Sequence, residues 1–282
     1  MDPLAALADL PGVADALARA RTACEELRWH EAYRRRWREV RAEAGIRSAR
    51  ASAALDGGRV PVEAVRSIAV GGPVPAGLPF VLASGALRAS ALVESLMPDL
   101  GARQTPALPP FGQLLARLHT SAAAGLVPPA DLGRLRASEP PQDLTGLGDA
   151  AAGEELAARL ALLGSLVDAS RAPALVVAAV VHGELLTLRP FVAGNGVVAR
   201  AVFRLLLTSR GLDPTGSVIC SAGWAAAPNP YLGTAAGFAT GAGEAVARWI
   251  VLCADGVVSG ADAARAVADA VLGGSLAPSA VE

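Results

Sequence analysis

The hydrophobic positions of this 282-residue chain follow the period of α-helices along most of its length. No segment alternates polar and apolar residues over the length of a strand. The pattern predicts helices over 13–54, 83–97, 111–124, 153–166, 196–210 and 247–271, with an apolar helical run at 172–181. We therefore expect an all-α fold with at most one short β-hairpin flap. The candidate for it is 134–138, between two Pro-Pro pairs, as a small hairpin or an extended flap.

Domain boundaries are weakly marked, because the chain has no internal repeat and no sharp shift in composition. We divide it into an N-terminal helical region at 1–60, a main helical domain at 61–272 and a disordered tail at 273–282. The 52 % hydrophobic content is ample for a buried core.

Charge argues against two classes of partner. The net charge is −1 and the pI is about 6.3, so no general attraction to nucleic acid or to an acidic membrane is expected. All 25 basic residues are Arg, a bias that makes any single Arg weak evidence of function. The Arg cluster at 34–41 alternates with Glu at helical spacing, which indicates a salt-bridged, solvated face.

Three features favour a cytoplasmic location. The first ten residues lack the basic region of a secretory signal. The apolar run at 172–181 is too short to cross a bilayer. The cysteines are odd in number and widely spaced, which argues against both disulfides and a thiolate zinc site: Cys24, Cys220 and Cys253.

The candidate chemistry centres on Gly194-Asn195-Gly196, a turn between the apolar run and an amphipathic helix. At a helix N-terminus the free N–H groups and the helix dipole favour an anion. Arg200 lies one turn into that helix, close enough to touch a bound anion. Such turns are common, so this feature alone is also compatible with a purely structural role.

A second candidate is the small-residue helix that ends in Asp56-Gly57. A carboxylate at a helix C-terminus is unfavourable unless a cation meets it. The alternative is a plain C-cap with a solvated Asp.

The run from Arg189 to Arg200 resembles the motif H-P-F-x-(D/E)-G-N-G-R-x-x-R of the Fic (Fido, filamentation-induced-by-cAMP) family. The matching residues are Pro190, Phe191, Gly194, Asn195, Gly196 and Arg200. Upstream, Ser52 to Gly57 is similar to that family's inhibitory-helix pattern (S/T)-x-x-x-E-(G/N), with Asp for Glu. The spacing through His119, the flap candidate, Tyr231 and Trp249 is also similar, so that the resemblance covers about 45–265 and implies a Fic-like helical bundle with an N-terminal inhibitory helix.

Members of this family mostly transfer AMP from ATP to a hydroxyl group of a target protein, and the resemblance implies a degenerate active site here. The position of the motif's general base is occupied by Arg189, which cannot accept a proton at neutral pH. The position of the acid that holds Mg²⁺ is Ala193, and that of the first Arg is Val197. No catalytic residue and no metal ligand are therefore assigned.

The retained positions imply a phosphate or nucleotide site and an inhibitory contact. We assign phosphate binding to Gly194, Asn195, Gly196 and Arg200, with Arg189 as an added cation or a space-filling residue. Asp56 and Ser52 are assigned to the inhibitory segment. We hypothesise an Asp56–Arg200 ion pair, with close packing allowed by Ala53, Ala54 and Gly57.

The leading interpretation is a catalytically inactive Fic-fold protein that binds a nucleotide, a phosphate or a protein partner. The first alternative is an active transferase of AMP or another phosphate-containing group with a non-standard mechanism, and the second is a purely structural helical domain. His182 and Glu184 lie too far along the preceding helix to replace the base. ATP is the candidate ligand, Mg²⁺ is not expected, and a target protein or a second copy of the chain are the candidate partners.

Overall fold

The computed structural model describes residues 2–104 and 106–276. This part of the chain forms α-helices and short 3₁₀ turns, and within it there is no sheet, only an isolated bridge between Ala124 and Val127. The all-α prediction is confirmed. The helices are α1 Val13–Arg28, α2 Ala32–Arg35, α3 Trp37–Leu55, α4 Val62–Ala69, α5 Leu78–Leu96, α6 Phe111–Ala123, α7 Gly153–Ala169, α8 Ala174–Leu188, α9 Asn195–Ser209, α10 Cys220–Ala226, α11 Pro228–Phe238 and α12 Gly243–Leu272.

Helix boundaries depart from the sequence prediction in three places. The predicted helix over 13–54 is broken twice, so that α1, α2 and α3 replace it. Helix α5 begins at Leu78 rather than 83, because Pro79 in its first turn needs no intrahelical N–H bond. Helix α12 begins at Gly243 and continues to Leu272 without interruption.

Helices α8 and α9 lie at the centre of the fold. Nearly every residue of both is buried, including Arg200, Arg204 and Thr208 on the polar face of α9. Arg204 reaches Ser90 of α5 at 2.9 Å and Glu94 at 3.2 Å. The charges of α9 are therefore neutralised by neighbouring helices, not by water.

The N-terminal helices are part of the same core. Helix α1 packs along α12, and α3 packs against α5 and α10. One apolar cluster extends from Leu4 to Val271. The division at residue 60 remains a prediction, and of the predicted tail the turn at 273–276 is described while 277–282 lie outside the described residues.

Two expectations about surface residues can be compared with the structure. Arg36 and Arg38 form the expected surface pairs, with Glu39 and Asp99. The prediction of a solvated face is wrong for Arg41, because its side chain is buried and donates to Thr215 O at 2.7 Å and Pro98 O at 2.9 Å.

The three cysteines are buried free thiols. Within 2–104 and 106–276, no helix is both long enough and apolar enough to cross a membrane.

Candidate functional site

The turn between α8 and α9 places the N-terminus of α9 inside the protein. Arg189 ends α8 in the left-handed conformation (φ 42°), and Pro190 cannot continue the helix. Gly194 caps α9, also left-handed (φ 82°), which glycine adopts without a Cβ penalty. Because Gly194 has no side chain, the first N–H groups of α9 receive no hydrogen bond from the cap itself.

Asn195 holds this turn in shape. Its Oδ1 accepts the Phe191 N–H at 2.9 Å, and its Nδ2 donates to Phe191 O at 2.8 Å. Phe191 is fully buried and anchors the loop in the core. The side-chain oxygen and nitrogen of Asn195 are thus both hydrogen-bonded within the loop.

His119 of α6 packs against the turn between α8 and α9. Its ring stacks in parallel on Phe191, with centroids 3.9 Å apart. Nδ1 accepts the Gly133 N–H at 2.9 Å, and Nε2 lies 3.1 Å from Ala193 O, so these partners assign the neutral tautomer with hydrogen on Nε2. Burial lowers the pKa of His119 to about 4. His119 is therefore a buried residue whose two ring nitrogens both have hydrogen-bond partners.

The hypothesised ion pair is present. Arg200 Nη2 lies 2.7 Å from Asp56 Oδ2, and the two side chains are only 1 % and 8 % exposed. Ser52 completes the contact, since its Oγ accepts from Arg200 Nε at 2.8 Å and its carbonyl accepts from Nη2 at 2.9 Å. Burial is the largest single influence and lowers the pKa of Arg200, but the interactions with Asp56 and Tyr231 together outweigh it, so the pKa is raised. Asp56, at the C-terminal end of α3, therefore places its side-chain carboxylate against the charged guanidinium of Arg200.

Gly196 allows Asp56 to approach α9 this closely. A Cβ at position 196 would lie 2.5 Å from Asp56 Oδ1 and 2.9 Å from Arg200 Nη1. Space at Gly57 has no such role, because no atom lies within 4 Å of a Cβ placed there. In the described part of the chain, Asp56 Oδ1 and Arg200 Nη1 are both buried without a hydrogen-bond partner.

Asp143 is a site residue that the sequence prediction missed. Its Oδ2 accepts the Asn195 N–H at 2.8 Å and its Oδ1 accepts from Asn195 Nδ2 at 2.6 Å. Asp143 thereby supplies the cap that Gly194 lacks. Burial and then the nearby Asp56 charge raise its pKa. The one signal was an acidic residue two positions after Pro140-Pro141, and no spacing linked it to residue 195.

Asp143 belongs to segment 134–149, which lies on the turn, is irregular apart from a 3₁₀ turn at Thr145–Leu147, and is called the strap from here on. The Arg136 N–H donates to Pro190 O at 2.9 Å and the Gln142 N–H to Val192 O at 2.7 Å. Of the two forms considered for 134–138, a hairpin or an extended flap, the structure has the extended one, because its backbone pairs with the turn and not with a second strand.

Arg189 fastens the strap. Its Nη1 donates to Leu144 O at 2.9 Å and its Nη2 to Gly148 O at 2.5 Å, while Nε lies 3.4 Å from Thr187 O. Burial and then the Arg136 charge lower the pKa of Arg189. Its guanidinium is thus placed on backbone carbonyls of the strap and not beside Asp56 and Arg200; its assignment to phosphate binding remains a prediction.

The two other altered motif positions are apolar and buried. Ala193 packs with Ala123 and Val127, and Val197 is 4 % exposed. Among the described residues, no group of three or more His, Cys, Asp or Glu side chains could hold a metal ion. Ala193 supplies no oxygen ligand at the position of the motif's acid, and Val197 supplies no cation at that of its first Arg.

The polar partners of His182 and Glu184 lie on helices other than α9. His182 Nε2 lies 2.9 Å from Tyr231 Oη inside an aromatic cluster with Trp224 and Trp249. Glu184 pairs with Arg159 at 2.8 Å. The expectation that neither replaces the base is consistent with these positions.

Comparison with known proteins gives a family match and several fold matches. The model of the Fic/DOC family matches residues 112–207. A Fic family protein from Desulfovibrio desulfuricans G20 superposes with a TM-score of 0.67 at 18 % identity, covering 89 % of this chain and 74 % of that one. A fragment of Fic-1 from C. elegans gives 0.67 at 16 % identity, covering 93 % and 73 %.

A further structure, a Fic domain containing signaling protein from Bacteroides thetaiotaomicron VPI-5482, gives a TM-score of 0.67 at 14 % identity. It is covered over 98 % of its length by 90 % of this chain. A search of curated proteins finds no match. At these identities the structural matches establish the fold, and the family model supplies the sequence evidence. Residues 112–207 therefore match the Fic/DOC family model, and they lie within a chain that has the fold of Fic-family proteins.

Proposed function

We propose that this chain is a catalytically inactive relative of protein adenylyltransferases, whose closed anion site serves in binding and not in AMP transfer. One observation carries the proposal: at the position of the general base, Arg189 directs its guanidinium to backbone carbonyls of the strap. A guanidinium stays protonated at neutral pH and has no lone pair with which to accept a hydroxyl proton.

The other groups near the turn support an inactive site. His119 has a hydrogen-bond partner at both ring nitrogens and is fully buried. Ala193 offers no oxygen to a metal ion, so the phosphates of ATP would lack their usual counterion. Fic-family proteins are typically transferases, and here the groups expected for that reaction are absent from positions 189, 193 and 197.

The binding role rests on what is retained. The N-terminus of α9 and the buried Arg200 are suited to a phosphate group, and Asp56 occupies this place from α3. ATP or another phosphate compound is the proposed ligand, and its binding requires Asp56 or Asp143 to move. A protein partner, a homodimer and a cytoplasmic location are parts of the same proposal; the three buried free thiols support a reducing compartment.

An active transferase with a non-standard mechanism is a second candidate, and Asp143 is the observation that favours it. This carboxylate lies against Asn195 and has a raised pKa, because of burial and the Asp56 charge. To act as a base, it would have to give up both hydrogen bonds from Asn195.

Mass measurement separates the two candidates. The purified chain is incubated with ATP, Mg²⁺ or Mn²⁺ and cell lysate, and intact masses are searched for an added AMP group, with an established adenylyltransferase as positive control. We expect no adduct that depends on this chain. An adduct that appears with the chain and disappears in Asp143→Ala would establish the second candidate and end the first.

Restoring the altered motif residues tests whether the fold around the turn can still support AMP transfer. The substitutions Arg189→His, Ala193→Asp, Val197→Arg and Asp56→Ala return the motif groups and remove the inhibitory carboxylate. If this variant forms the AMP adduct and the unchanged chain does not, the unchanged chain lacks only the reactive side chains and keeps the geometry of the site. A thermal-shift titration with ATP, ADP and phosphate separates binding from a purely structural domain, since a ligand of the native state raises the midpoint.

A further inference from the structure

We propose that the strap is an internal plug, in which Asp143 occupies the position of a phosphate oxygen at the N-terminus of α9 and keeps phosphate-bearing ligands out until the strap is released. This inference rests on the proposed function, because it concerns regulation of the same anion site. It is separate from the Asp56–Arg200 contact, in which the carboxylate comes from the end of α3.

The first step is that Asp143 makes the contacts expected of a bound anion. Its two oxygens accept the Asn195 backbone N–H at 2.8 Å and the Asn195 amide at 2.6 Å. Helix N-termini bind phosphate oxygens through such main-chain donors. A phosphate at this place and the Asp143 carboxylate are therefore mutually exclusive.

The second step is that the site has donor capacity beyond what Asp143 uses. Arg200 Nη1 is buried without a partner among the described residues, on a side chain that is 1 % exposed. It lies 2.9 Å from the position of a Cβ on Gly196, next to the first turn of α9. A ligand with several phosphate oxygens could use this donor as well as the helix N-terminus, which a single carboxylate does not do.

The third step identifies the strap as the part that moves. Among the described side chains between 134 and 150, the buried ones are Arg136 and Leu147. The Asp56 side, by contrast, belongs to α3, which has buried residues along most of its length. Segments with few buried contacts open at lower free energy than packed helices.

Arginine bonds to main-chain oxygens hold the strap at both ends. Arg136 Nε donates to Arg189 O at 2.7 Å and its Nη2 to Leu188 O at 3.1 Å, while Arg189 in return donates to Leu144 and Gly148. These are bonds between the strap and the α8–α9 turn, so one opening motion breaks them together.

The fourth step is that docking of the strap carries a cost. Leu144 and Arg189 both have positive φ, 53° and 42°, a conformation that non-glycine residues seldom adopt. The Asp143 and Asp56 carboxylates also lie near each other, and the Asp56 charge raises the pKa of Asp143. Release of the strap relieves both the backbone conformation and the like-charge repulsion.

The test compares Asp143→Ala with Glu154→Ala, which removes an exposed carboxylate at the start of α7, just after the strap. ATP is titrated in EDTA into each full-length protein, and affinity is measured by calorimetry. We expect Asp143→Ala to bind at least about tenfold more tightly than the unchanged chain, because the competing carboxylate is gone, and Glu154→Ala to change little. Equal affinities of Asp143→Ala and the unchanged chain, or no binding by either, would show that Asp143 is only a helix cap and overturn the proposal.

Hydrogen exchange of the unchanged chain gives a second measurement, should Asp143→Ala fail to fold. ATP is added at a concentration that saturates binding, or at its highest soluble concentration where no binding is detected. Peptides from 134–149 should then exchange their amide hydrogens faster, while those from α3 keep their protection. Unchanged or increased protection of the strap would contradict the plug. An AMP adduct from the mass measurement would refute only the proposed lack of activity, so the two failures are distinguishable.

Discussion

Asp56 and Gly196 approach each other so closely that a methyl group at position 196 would lie 2.5 Å from the carboxylate of Asp56. Because Gly196, the second glycine of the turn, has no side chain, the Asp56 carboxylate at the end of α3 can lie against the first turn of α9. The same absence of a side chain would let a phosphate approach the helix, so the glycine serves the plugged and the open site alike.

Replacing Gly196 with Ala should weaken the Asp56–Arg200 pair. The new methyl group would overlap Asp56 Oδ1 and approach Arg200 Nη1, and both side chains would have to shift. We expect a loss of about 1–2 kcal/mol in the free energy of unfolding, measured by urea denaturation. Gly112→Ala in α6 is the control, because a Cβ there meets nothing within 4 Å and Ala favours the helix. Equal effects of the two substitutions would contradict the close approach.

Replacing Asp56 with Ala should leave a buried guanidinium without its counterion. Removal of one partner of a buried pair typically costs about 3–5 kcal/mol, and the Ser52 bonds to Arg200 place the expected loss near the lower end. Asp255→Ala, which breaks the exposed pair with Arg19, should cost less than about 1 kcal/mol. Sulfate should restore the stability of Asp56→Ala more than that of the Asp255 variant, because the anion can take the vacated place.

The sequence was sufficient for the parts of the site that depend on local order. Gly194, Asn195 and Gly196 mark a turn into a helix, and the position of Arg200 one turn later follows from helical periodicity. The Asp56–Arg200 pair was also predictable, because a carboxylate at a helix end requires a cation and two motifs identified both partners.

The strap was not predictable, because its contacts depend on tertiary structure. Asp143 and Asn195 are 52 residues apart and share no periodic pattern, so only the folded chain brings them together. Arg189 was correctly read as unable to act as a base, but its bonds to Leu144 and Gly148 follow from the path of the strap. Arg41 shows the same limit, since charge alternation suggested solvent where the fold supplies backbone carbonyls.

Replacing Arg189 with Ala should loosen the strap without unfolding the helices. The substitution removes the donors to Leu144 and Gly148, so peptides from 134–149 should exchange amide hydrogens faster. The expected loss of global stability is about 2–3 kcal/mol, because the carbonyl partners are left less satisfied. Arg134→Ala, at an exposed position of the same strap, should leave the exchange unchanged. Similar exchange in both variants would show that Arg189 does not fasten the strap.

Lowering the pH should destabilise the protein through His119. In the folded chain its pKa is lowered to about 4 by burial, whereas an unfolded histidine titrates near 6.5. Between these values the unfolded state binds more protons, so the free energy of unfolding decreases as the pH falls from about 6.5 to about 4 and the contribution is fully present above that window. The expected contribution of this residue is on the order of 2–3 kcal/mol.

His119→Phe isolates this contribution, because Phe can keep the stack on Phe191 but does not titrate. It should be less stable at neutral pH, having lost the contacts to Ala193 and Gly133, and its stability should depend less on pH between 4 and 6.5. Burial also lowers the pKa of His182, but that residue is present in both proteins, so the difference between their urea-denaturation curves belongs to His119. Parallel pH profiles for the two proteins would mean that His119 does not stay neutral in the folded turn.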